Sequence, residues 1–210
     1  MKENQIQDEL TSIRNMMERS SKFISLSGLS GVLAGVYALI GAAIGYSIIY
    51  GSGGFFSYRE YVMDDVKRSP GNLYTLVLVA LAVLLASLIT GVYLTLRKAK
   101  QKGQNPWGRT SRQLLFNLAV PLVTGGALSL ILISRGYFGI IASATLIFYG
   151  LALVNASNIT YKDVQYLGII EIVLGLLAAL LPGYGLLFWA IGFGVLHIVY
   201  GSIMYLKYDR

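Results

Sequence analysis

Two ionisable residues in this sequence stand inside apolar runs. Glu171 lies within residues 164–181 and His197 within residues 184–206. Ionisable groups held within hydrocarbon by default face protein or water, and they mark proton relays, ion paths or substrate sites. The two runs are joined by Pro182-Gly183, a turn-forming pair that sets the helices on either side antiparallel. Glu171 lies about eleven residues before that turn and His197 about fourteen after it. At about 1.5 Å per residue their depths differ by roughly 4–5 Å, so contact is within reach. Glu171 shares a face with Gly168, Gly175 and Ala178, and His197 with Ala190, Gly194 and Gly201. Small residues mark where membrane helices meet protein, which predicts that both side chains avoid lipid.

Three chemistries fit this pair. A hydrogen-bonded or ionic contact would fix the helix hairpin, adding specificity more than net stability because desolvation offsets the attraction. A hydrated site would carry protons or bind a cation or substrate. Metal ligation falls short: one histidine and one glutamate are too few for a zinc or di-iron set, and no HExxH or ExxH partner occurs. No metal and no cofactor is expected. Asn117, Asn155 and Tyr200 join the pair in the candidate intramembrane site. Asn117, Pro121, Thr124 and Ser134 mark one run, Ser143, Thr145 and Asn155 the next, and Tyr149 and Tyr200 can reach the same interior. Pro121 lacks the N–H that would bond one turn back, which predicts a bend.

The elements that must position these residues follow from composition. The chain is 55% hydrophobic and only 13% charged, too apolar for water to be its solvent. It has no cysteine, which excludes disulfides, iron–sulfur clusters and thiolate chemistry. A spanning helix needs about 20 apolar residues, and six runs qualify: 23–50, 73–96, 114–134, 137–155, 164–181 and 184–206. The expected fold is all-α, a polytopic six-helix transmembrane bundle of three hairpins over residues 23–210. A cytoplasmic amphipathic helix within residues 1–22 precedes it, with Ile6, Leu10, Ile13 and Met17 along one face. That helix could pack under the bundle, pair with a second copy, or dock a partner. The first run is expected to be a retained span and not a cleaved signal peptide, because it is too long and shows no cleavage boundary.

Orientation follows from Lys and Arg. With the N-terminus inside, thirteen of the 17 basic residues face the cytoplasm, six of them in the loop 97–113, while Arg59, Lys67, Arg68 and Arg135 face outward. Both termini are then cytoplasmic, in a bacterial inner membrane. The external loop 51–72 carries Phe55, Phe56, Tyr58 and Tyr61 between turn-forming ends, the pattern of an interfacial helix at the headgroups, or else of a lid or partner-binding element. The net charge of +7 serves orientation, and no nucleic-acid motif accompanies it. The sequons at Asn155 and Asn158 fall on the cytoplasmic side and are read as chance.

Close packing through small residues substitutes for hydrophobic drive between membrane helices. The first run shows a full-length stripe: Gly28, Gly31, Gly35, Ala38, Ala42 and Gly45, with GxxxG pairs Gly31/Gly35 and Gly41/Gly45. Gly168, Gly175, Gly194 and Gly201 extend the helix-packing set to the last two runs. No phosphate-binding glycine loop occurs.

The stretch from Met17 to Gly35, MERSSKFISLSGLSGVLAG, resembles the opening of an uncharacterised six-span inner-membrane family of the Bacteroidota, sometimes labelled carotene oxygenase. The resemblance extends over most of the chain, including the glutamate in the fifth run. It implies location and topology and supplies no catalytic residue. The label implies intramembrane iron held by several histidines, which a chain with one histidine does not carry. The leading expectation is a non-enzymatic partner-binding or accessory membrane protein, contacting lipids and either a second copy or a cytoplasmic protein through the basic loop and the N-terminal helix. The alternative is a small proton- or ion-coupled transporter using Glu171 and His197. A membrane enzyme comes third, because no nucleophile–base set can be assembled.

Overall fold

The computed structural model describes residues 27–50, 70–101, 108–181 and 183–209. The amphipathic segment of residues 1–22, most of the external loop, the middle of the basic loop and Pro182 lie outside the described residues. Within them the chain is all-helical, with six helices long and apolar enough to cross a membrane. These are α1 (Gly28–Tyr50), α2 (Pro70–Gln101), α3 (Arg109–Ser134), α4 (Ile141–Ser157), α5 (Asp163–Leu180) and α6 (Gly185–Asp209). A short 3₁₀ turn, Phe138–Ile140, leads into α4. Several helices run past the apolar residues that announce them: α2 and α3 begin before Leu73 and Leu114, and α6 continues past Leu206. A helix that has satisfied its backbone in hydrocarbon propagates into polar ends at little further expense.

Packing orders the helices α2, α1, α6, then α4 with α5, then α3. The tightest pair is α4 with α5. There a Cβ added at Gly168 would sit 2.7 Å from the Gly150 carbonyl oxygen, and one at Gly175 would sit 3.0 Å from the Ser143 carbonyl oxygen. The α1 stripe meets α6: a Cβ at Gly35 would lie 2.6 Å from the Gly194 carbonyl oxygen and one at Gly31 3.1 Å from the Gly201 Cα, while a Cβ at Gly28 would fall 2.6 Å from the Gly201 carbonyl oxygen. Gly41 turns instead to Val83 on α2, and Gly45 makes ordinary contact with Leu76 and Leu186. By contrast α5 and α6, joined by the shortest connection, meet lightly, along the first half of α6. Among the described residues, the most apolar stretch of α2 buries none of its side chains fully.

One end of the bundle is tied by charge. Asp209, at the end of α6, accepts from the Gly28 N–H at 2.9 Å and pairs with Lys98 at the end of α2. One carboxylate thereby joins three helices and satisfies an orphan N–H at the start of α1. Nearby, Asp163 at the start of α5 accepts from Lys207 Nζ at 2.9 Å and from the Tyr208 hydroxyl at 2.7 Å. Tyr208 stacks on Tyr161 with ring centroids 4.0 Å apart. Burial, with Asp209 and Tyr208 adding to it, pushes the Tyr161 phenol up to about 12.

Candidate functional site

Glu171 and His197 meet where α4, α5 and α6 converge. Glu171 is completely buried and His197 is 5% exposed. Glycine makes the room: a Cβ at Gly192 would lie 2.5 Å from Glu171 Oε2 and 2.6 Å from Leu146 Cδ2. Gly192 sits in a stretch of π-helix, Ala190–Leu196, immediately before His197. Such wide turns inside α-helices recur at functional sites. Here the imidazole folds back over the widened turn, with Nδ1 2.9 Å from the Gly192 carbonyl oxygen.

The hydrogen bonds fix the proton on one ring nitrogen. A carbonyl only accepts, so Nδ1 carries a proton and donates it to Gly192. The other nitrogen, Nε2, lies 2.7 Å from the Tyr149 hydroxyl of α4. That hydroxyl donates to a neutral imidazole and accepts from an imidazolium, by rotation of one O–H bond. The ring is further boxed by Phe193 and, beyond it, Trp189. Glu171 Oε1 is 3.5 Å from Nδ1, near enough for attraction between charges. The Nδ1 proton nonetheless belongs to the shorter contact, and neither carboxyl oxygen has a hydrogen-bond partner among the described residues. The Ser143 and Tyr200 hydroxyl oxygens, on α4 and α6, are likewise buried without one. Tyr149 and Tyr200 both pack against Leu153, Val164 and Leu167.

Asn117 and Asn155 form a different arrangement, between α3 and α4. Asn155 Nδ2 donates to the Asn117 carbonyl at 3.2 Å, and Asn117 Nδ2 lies 3.4 Å from the Asn155 carbonyl. Pro121 explains the first bond: it has no N–H to give to the carbonyl four residues earlier, and that carbonyl belongs to Asn117. The Asn155 carbonyl lies in the last turn of α4, where carbonyls lack helical partners. These two amides therefore satisfy backbone groups. Pro121 itself lies inside an unbroken α3.

Sequence reasoning placed Tyr149 in the interior without assigning it to His197, and it passed over Gly192 altogether. The doublet Gly192-Phe193-Gly194 is the signal that a second glycine faced something other than α1. Among the described residues no group of three or more His, Asp or Glu side chains could hold a metal ion.

Gly192→Ala tests the geometry. Both atoms met by the new methyl are far ends of flexible side chains, so the fold accommodates it, with a loss of about 1–3 kcal/mol from overpacking. The carboxyl must swing away. Its infrared stretching band, isolated by difference against the Glu171→Gln chain, is expected to shift in Gly192→Ala; an unchanged band would contradict the packing described.

Among the described residues, fold and site together define an all-helical bundle of six potential membrane spans with a buried carboxyl–imidazole–phenol cluster at a three-helix junction. No family model, curated protein or solved structure matches the chain.

Proposed function

We propose that the chain is a small proton-coupled transporter of a bacterial inner membrane, in which Glu171 takes up and releases a proton beside His197 and Tyr149. The topology that goes with this is three hairpins with both termini cytoplasmic, supported by the positive-inside distribution of Lys and Arg. The observation that carries the function is the Glu171 carboxyl. It is fully buried yet has no hydrogen-bond partner among the described residues, while its neighbour His197 is engaged at both nitrogens. A purely structural glutamate in hydrocarbon is expected to be satisfied, because an unmet buried polar group costs about 1–3 kcal/mol. Tyr149 supplies the second element: a proton arriving at Nε2 needs only the turn of one hydroxyl, with no helix movement.

The site is enclosed. Neither the cleft at Ala42, Tyr46 and Tyr184 nor that at Arg109 and Asn117 is lined by Glu171 or His197. In the transport reading this is an occluded conformation. The same observation favours the second reading, an accessory membrane protein whose Glu171–His197 contact is structural.

One experiment separates them. Proteoliposomes loaded with a pH-sensitive dye are challenged with a panel of monovalent cations and small organic solutes. The native chain is expected to move protons with at least one solute, and Glu171→Gln to fall to the rate of empty vesicles. Equal proton movement in both, or none with any solute in the native chain, would leave the accessory reading standing.

A further inference from the structure

The basic end of α3 carries a second site, independent of the proton chemistry above. Arg109, Arg112, Gln113, Phe116 and Asn117 line one cleft of about 670 Å³. Their spacing along the helix, at i, i+3, i+4, i+7 and i+8, puts all five on one face. Arg109 and Arg112 are exposed, the first turn of α3 has no acidic residue, and neither arginine forms an ion pair among the described residues. Elsewhere at this end Lys98 is paired with Asp209 and Lys207 with Asp163, while Arg97, Lys100 and Lys162 form no ion pair among the described residues. What sets α3 apart is that its two arginines share one face and one cleft, with no ion pair among the described residues and with 69%-exposed Phe116 one to two turns deeper.

The order of chemistries along α3 matches one kind of molecule. Eight residues separate Arg109 from Asn117, about 12 Å along the axis at 1.5 Å per residue. Over that depth the face passes from paired guanidinium groups to the Gln113 amide, then to an aromatic ring and the edge of the Asn117–Asn155 pair. A phospholipid passes in the same order from phosphodiester to glycerol and ester oxygens to acyl chain. Guanidinium groups bind phosphate oxygens in a planar fork, and basic clefts at the membrane surface take anionic headgroups. We infer that the Arg109–Asn117 face of α3 is a binding site for the headgroup of an anionic phospholipid. The inference rests on the chain lying in a membrane and not on the role of Glu171.

The test is native mass spectrometry of the detergent-purified full chain, titrated with phosphatidylglycerol or with phosphatidylcholine of the same acyl chains. The native chain should retain one phosphatidylglycerol molecule in clear preference to phosphatidylcholine. Removing both charges in R109Q/R112Q should weaken that binding about thirtyfold, and each single variant about fivefold, from the usual contribution of one basic residue beside an anionic surface. R135Q, which removes a charge at the far end of α3, should leave it unchanged. Equal retention of the two lipids, loss of binding in R135Q as large as in R109Q/R112Q, or no effect of the single and double variants would each overturn the site. Full displacement of the lipid by millimolar inorganic phosphate would also overturn it, in favour of a soluble anion site. Capture of an acidic protein with no lipid preference would do so in favour of a protein contact.

Discussion

Gly168→Ala is expected to separate α4 from α5 and to lower stability in detergent by about 2–3 kcal/mol, the upper part of the range for overpacking. The added methyl would lie 2.7 Å from the Gly150 carbonyl oxygen and 2.9 Å from the Val154 backbone nitrogen. Both belong to the main chain of α4, so no rotamer change relieves the clash. The contact is mutual: a Cβ at Gly150 would stand 2.5 Å from the Gly168 carbonyl oxygen. Helices in a membrane associate through such close approach and have little hydrophobic drive to replace it. The matched control is Gly126→Ala on α3, where a Cβ meets nothing within 4 Å; the better helix propensity of alanine should raise stability there by up to about 1 kcal/mol. Thermal unfolding of the two chains in one detergent checks both. A midpoint for Gly168→Ala at or above that of the native chain would mean that the α4–α5 contact is not the tight one described.

These two glycines show what a single sequence carries and what it leaves out. Apolar length is a local property, so six helices could be read directly from the residues. Their polar ends could not, because Arg109 or Asp209 gives no apolar signal that helix continues to it. Depth is also local: counting from the turn brought Glu171 and His197 to similar levels, and the structure has them 3.5 Å apart. Partner choice is another matter. The glycines flanking Glu171 face α4, while those flanking His197 face α1, so two similar stripes meet different neighbours. Tyr149 reaches His197 across 48 residues, and Lys98 reaches Asp209 across 111; no periodicity in either segment encodes such a choice. Asn117 and Asn155 illustrate the converse. Polar residues inside apolar runs suggested a site, yet the carbonyl freed by Pro121 is what gives their bond a use.

The remaining prediction sets stability against function at Glu171. Replacing it with leucine puts an apolar side chain of comparable size between Leu146 of α4 and Gly192 of α6. His197 keeps its bonds to the Gly192 carbonyl and the Tyr149 hydroxyl, so the change orphans no polar group. Removing an unpartnered buried carboxyl should therefore leave the unfolding midpoint unchanged or raise it, as when buried polar groups give way to apolar ones of similar shape. His197→Leu should behave in the opposite way. It strips the Tyr149 hydroxyl and the Gly192 carbonyl of a partner together, a loss of about 2–6 kcal/mol at roughly 1–3 kcal/mol for each group left unsatisfied. An asymmetric outcome would mean that the fold depends on the histidine while the glutamate serves something else, and proton handling is the chemistry its surroundings allow. If Glu171→Leu instead destabilises by about 3–5 kcal/mol, the loss expected when one member of a buried ion pair is removed, then Glu171 and His197 are a structural salt bridge and the transport reading goes.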